Sequence, residues 1–129
     1  MGLFDKFKKK KEDKFETWLD DILKEKFSND IKAVNFNLYE DENDKWSIEL
    51  VGTSSFDEND DDWACDEVFT TRDNPYVLEM KGDWENIQKI FTDKIIDYLK
   101  KGKYADKLKQ YKAVAIGFVD GDLNIIYKK

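Results

Sequence analysis

Apolar positions recur along this chain with two different periods, and the switches between them outline the fold. Phe15, Trp18, Leu19, Ile22, Leu23 and Phe27 fall at the three- and four-residue spacing of one helical face. The pattern predicts a helix over 13–27, with Asp13 as N-cap, Glu16 completing a capping box and Asn29 as a left-handed stop. Period two then takes over. Val34, Phe36 and Leu38 alternate with Asn35, Asn37 and Tyr39, and Trp46, Ile48 and Leu50 alternate with Ser47, Glu49 and Val51. The polar stretch Glu40–Lys45 between them reads as the turn of an antiparallel hairpin with one face in the core. An acidic loop over 52–62 follows, then a third strand over 64–70, then a loop over 72–76 marked by Asn74-Pro75.

The second helix is the best signalled. Asp83 is a good N-cap, and Glu85 suits the positive end of the helix dipole. Trp84, Ile87, Ile90, Phe91, Ile95, Tyr98 and Leu99 form its apolar stripe, and Gly102 stops it. A short helical turn over 104–111 is expected next. Two strands, 113–119 and 123–127, then flank Asp120-Gly121, a two-residue hairpin signal. The order is α-β-β-β-α-(short α)-β-β. It predicts an α+β fold, an antiparallel sheet of about five strands with two main helices packed on one face. One core is expected from Trp18, Leu19, Ile22, Phe36, Leu38, Trp46, Ile48, Leu50, Ile87, Phe91, Ile95, Val114, Ile116 and Phe118.

Composition narrows this to one domain over 13–129 behind a basic leader, residues 1–12, because 129 residues suffice for one good core and not for two. Aromatic residues at 15% argue against disorder. A single cysteine allows no internal disulfide, and no apolar run approaches the span of a bilayer. The expected location is the cytoplasm. The leader MGLFDKFKKKKE combines Leu3, Phe4 and Phe7 with Lys8 to Lys11. It reads as a frayed leader or the first turns of a longer helix, with a weak membrane-surface foot as the alternative.

Charge is unevenly placed. Residues 1–32 hold 9 basic and 8 acidic groups, residues 33–83 hold 3 and 15, and residues 84–129 hold 10 and 6. Direct nucleic-acid binding is disfavoured, since it needs a basic face. The chain contains no histidine, which removes the commonest general base and metal ligand, and the phosphate-binding and nucleophile-elbow motifs are absent. No catalytic residues, cofactor or metal are expected. Cys65 has acidic neighbours and reads as a small buried strand residue.

The remaining feature is the acidic tract. Asp57-x-Asn59-x-Asp61 begins like a calcium loop, but Asp62 stands where glycine is needed and Val68 where a bidentate glutamate is needed. A cation site or a carboxylate-dependent enzyme is therefore the secondary reading. The primary one is a surface for a basic protein partner. Asp57, Glu58, Asp60, Asp61, Asp62, Asp66 and Glu67 would supply charge and Trp63 the buried anchor, with Tyr39, Arg72 and Tyr76 as possible additions. A solvated acidic loop without a partner is the plain alternative.

The stretch WSIELVGTSSFDENDDDWACDEVF, with GKYADKLKQYKAVAIGFVDGDLNIIY near the end, resembles small acidic bacterial immunity proteins of polymorphic or contact-dependent toxin systems. The likeness covers most of the chain after about residue 33. It implies an inhibitor that neutralises a basic, nuclease-like toxin by masking its active site or an exosite. It assigns no site residues.

Overall fold

The computed structural model describes residues 14–129, so the leader and the proposed Asp13 cap lie outside the described residues. The chain runs α1 (Lys14–Leu23), β1 (Ala33–Glu40), β2 (Lys45–Thr53), a 3-10 turn (Asp61–Cys65), β3 (Glu67–Thr70), β4 (Tyr76–Glu79), α2 (Trp84–Lys101), α3 (Ala105–Lys109), β5 (Ala113–Phe118) and β6 (Asn124–Lys128). The fold is α+β, with helices on one side of a six-stranded sheet of order β3-β2-β1-β5-β6, and β4 sharing with β3 the outer edge of β2.

The predicted hairpin is present with the expected face inward, and it pairs Phe36 with Leu50 and Leu38 with Ile48. Its turn works because Asn43 and Asp44 both take positive φ, 60° each, a conformation their short polar side chains tolerate. The face carrying Val34, Phe36, Leu38, Trp46, Ile48 and Leu50 meets Phe15, Leu19, Ile87, Phe91 and Ile95 in one core. Each large apolar side chain buried there contributes about 1.5–3 kcal/mol. Every residue of the expected core is buried except Phe118, which is half-buried and packs against it.

Four expectations need correction. The sheet is mixed, because β1 pairs parallel with β5, Val34 to Val114 through Leu38 to Phe118. The segment 64–70 is not one strand, since the 3-10 turn takes Asp61–Cys65 and only Glu67–Thr70 is extended; β4, where a loop was expected to end, is the sixth strand. The first helix ends at Leu23 rather than 27, where the Lys107 ammonium donates to the carbonyls of Leu23 and Glu25, and Asn29 is not left-handed. Asp120-Gly121 belongs to a longer connection from Phe118 to Asn124, and neither residue has positive φ.

Glycine matters at two places for closeness rather than φ. A Cβ on Gly102 would lie 2.6 Å from the buried Tyr98 ring, so the chain crosses that ring face directly as α2 ends. A Cβ on Gly117 would lie 2.5 Å from the Asp122 carbonyl oxygen, which lets the β5–β6 connection rest on the sheet.

Candidate functional site

The helix-free face of the sheet carries Asn35, Asn37, Tyr39, Ser47, Glu49, Val51 and Thr53, the other set of the alternating positions. One half of it is floored by small residues. Trp63 packs there on Ala33, Ala113 and Ala115, with Phe56, Ala64 and Leu123 around it, as a second small core. Trp63 is 3% exposed and its ring lies 5.2 Å from that of Phe56, edge on. It is therefore the peg that fixes residues 54–66 to the sheet, and this corrects its assignment as an interface anchor. Cys65, expected to be buried, is exposed.

The carboxylates around that peg are exposed, and several shape the loop. Asp57 accepts from the Asn59 amide at 2.9 Å and Asp60 from the Asp62 amide at 3.0 Å, the latter capping the 3-10 turn. Glu58 pairs with Lys128 at 2.8 Å, and Asp66 accepts from the Ser55 hydroxyl at 2.6 Å. Asp61 and Asp62 are exposed on the turn itself. Glu67 stands apart from them, held by Arg72 at 3.0 Å. Thus Asp57, Glu58, Asp60, Asp61, Asp62 and Asp66 share one outcrop, while Glu67 belongs to a second constellation.

That constellation surrounds Glu49, whose residue exposure is 0%. Arg72 grips it bidentately, Nε to Oε1 and Nη2 to Oε2, both at 3.1 Å. Tyr39 donates its hydroxyl to Glu49 Oε2, and Asn37 donates Nδ2 to the same oxygen at 3.1 Å. Asn35 donates to Asn37 at 2.7 Å, leaving its own buried Oδ1 without a hydrogen-bond donor. Burial and the neighbouring carboxylate raise the Tyr39 pKa, and the hydrogen bonds to Glu49 and Glu67 hold Arg72 charged well above its ordinary range. Of the side chains named as possible additions to the acidic surface, Tyr39 and Arg72 meet here instead, and Tyr76 packs edge on against Phe15 in the main core. Glu49 itself had the pattern of an ordinary solvent-facing strand residue; the one available signal was a lone arginine in an acidic stretch.

A groove of about 1510 Å³ opens at the carboxyl ends of β1 and β5. Parallel pairing brings the β1–β2 turn and the β5–β6 connection side by side there, and the Val119 amide ties them by donating to the Leu38 carbonyl at 3.1 Å. Its apolar side is Trp84, Phe118 and Val119, with Trp84 54% and Val119 52% exposed. Trp84 stands edge on to Phe118 at 6.1 Å, and Phe118 edge on to the buried Trp46 at 6.0 Å, so the exposed ring is braced from the core. Glu40, Asp41, Glu42, Asp120 and Asp122 line much of the rest, against Lys45 as the single cation among the described residues. A smaller pocket at the opposite ends of the same strands is lined by Lys26, Lys32, Lys107, Lys112 and Lys129, with no aspartate or glutamate among its described residues.

Among the described residues, no group of three His, Cys, Asp or Glu side chains could hold a metal ion, and no helix is long and apolar enough to cross a membrane. No protein-family model, curated protein or solved structure matches the chain.

Proposed function

We propose that the chain is a protein-binding module, most concretely an immunity-type inhibitor that neutralises a basic, nuclease-like toxin in the cytoplasm. The observation that carries this reading is the outcrop at 57–66. Its exposed carboxylates are not strung along a loose loop. They are fixed by side-chain caps at Asp57 and Asp60 and by the buried Trp63 beneath them. A charged surface that is already ordered loses little entropy on association, and it steers a partner of opposite sign. A nuclease's substrate face is basic because it must meet phosphates, so an acidic outcrop suits it. The resemblance to small acidic immunity proteins points the same way.

The test is the triple substitution Asp60→Asn, Asp61→Asn and Asp62→Asn, assayed against a toxin encoded beside this chain. Thermal stability should barely change, since asparagine at 60 can keep the cap of the 3-10 turn and the other two exposed carboxylates mainly repel their neighbours. Association should slow about tenfold at low salt, with a shallower salt dependence, because peripheral charges act chiefly on the on-rate. Unchanged association and salt dependence would place the interface elsewhere.

A further inference from the structure

We infer that the groove at the carboxyl ends of β1 and β5 is a second docking site, for a lysine- or arginine-rich segment of a protein partner that also carries an apolar anchor. The inference shares with the proposed function the idea of a basic partner, but uses none of residues 57–67.

Three independent features meet in the groove. The first is size and shape. At about 1510 Å³ it exceeds the roughly 300–1,000 Å³ typical of small-molecule pockets. It is also an open trough between two connections rather than an enclosed cavity. That geometry accepts a stretch of polypeptide. The second is the aromatic platform. Trp84 is the first residue of α2 and packs one edge on Phe118 of β5 while about half of it stays exposed. An exposed tryptophan braced edge on by Phe118 and Trp46 does not need ordering on binding, which is the property of an interface anchor. Its ring face also attracts a cation. The third is charge. Among the described residues five carboxylates face one lysine, and they come from two stretches distant in sequence, the end of β1 with its turn and the β5–β6 connection, brought together by the parallel pairing of β1 with β5. An acidic occupant would be repelled, and a purely apolar one would strand those carboxylates. A basic segment with one apolar side chain satisfies both surfaces.

The groove can be tested without the natural partner. The probe is a synthetic 12-residue peptide of lysines and leucines at helical spacing, with oligolysine and a glutamate-leucine peptide as controls. Of the four tryptophans, Trp18, Trp46 and Trp63 are buried, so quenching by acrylamide reports chiefly Trp84. The lysine-leucine peptide should bind saturably and shield Trp84 from the quencher. Trp84→Ala should weaken binding about thirtyfold, the size expected of an interface anchor. Trp84→Phe should recover part of the loss, and Val119→Ser should weaken binding without touching the stack. Neutralising Glu42, Asp120 and Asp122 to Gln, Asn and Asn should weaken it similarly and flatten its salt dependence. The Asp60, Asp61 and Asp62 triple variant should bind the peptide as wild type does. Equal binding of oligolysine, or equal loss in that triple variant, would reduce the effect to net charge and overturn the inference. So would unchanged binding in both Trp84→Ala and Val119→Ser. Concentration-dependent self-association abolished by Trp84→Ala would assign the groove to the lysine-lined pocket of a second copy instead. Because the outcrop and groove variants are read separately, the loss of either reading leaves the other standing.

Discussion

Glu49 is a carboxylate without contact with water on a sheet face that no helix covers. Arg72 supplies a full counter-charge, and Tyr39 and Asn37 add hydrogen bonds to Oε2, which together offset the cost of burying the carboxylate. Arg72→Ala should therefore destabilise the fold by about 2–3 kcal/mol, below the usual 3–5 for a broken buried pair because the Arg72 side chain is itself half-exposed. Adding Glu49→Gln should restore much of that loss, since a buried amide needs no cation. A double-mutant cycle by denaturant unfolding measures the coupling, and simple additivity would refute it. A second expectation concerns pH. Tyr39, Tyr98 and Tyr111 have pKa values raised chiefly by burial, with the Asp20 carboxylate adding to the effect at Tyr98. The folded chain holds these protons after the unfolded chain would release them, so their contribution is intact below pH of about 10 and is lost as pH rises further. Tyrosinate absorbance should rise in two stages, the later one coinciding with loss of the near-ultraviolet circular dichroism of the fold. Little of this was readable from alternation. Period two places Glu49 and Asn35 opposite the core, but not beneath other polar groups, because that cover comes from Arg72 and from chain distant in sequence.

Elements were more legible than their arrangement. The β1–β2 hairpin could be read down to which face is buried, since Trp46, Ile48 and Leu50 have only one face to bury, while its pairing Phe36–Leu50 came from the structure. The second helix could be read almost to the residue, because Asp83 caps it through the Asn86 amide at 2.9 Å. The parallel β1–β5 pair leaves no local trace, for it joins strands separated by two helices and three strands. β4 hid behind Asn74-Pro75 and a half-exposed pattern. Trp63 illustrates the same limit: its neighbours in sequence are acidic and its neighbours in space are alanines. Trp63→Ala should cost about 3–5 kcal/mol, as large-to-small changes of buried aromatics do. The Asp60, Asp61 and Asp62 triple Asn variant should melt near wild type because asparagine keeps the Asp60 cap, and a melting temperature as low as that of Trp63→Ala would mean that the charges themselves hold the turn. At the other end, Gly117→Ala should cost about 1–3 kcal/mol, because the obstructing atom is a backbone oxygen that cannot step aside without moving the whole β5–β6 connection.

The whole molecule is polarised along β1 and β5. Among the described residues, five lysines line the pocket at the amino ends and five carboxylates the groove at the carboxyl ends, about 25 Å apart for a strand of 8 residues. A net charge of −7 conceals that division. Complementary ends on one body can chain head to tail without closing, so light scattering of wild type should rise weakly at low salt and fall as salt screens the contact, and it should do so equally in Trp84→Ala, because charge alone and not the tryptophan makes this contact. The sheet edges oppose another kind of growth. Where β3 gives way to β4, Thr71 takes over the ladder: its amide donates to the Leu50 carbonyl at 3.0 Å, and its hydroxyl accepts from the Leu50 amide at 2.9 Å. The outer edge is thereby cut into two strands of four residues with Pro75 between them. The opposite edge, β6, has five residues and a register shift against β5. A strand from another chain seeking to extend the sheet finds no long uninterrupted run of backbone on either side. Concentrated protein can thus stick end to end reversibly, yet lacks the template from which a fibril would be copied.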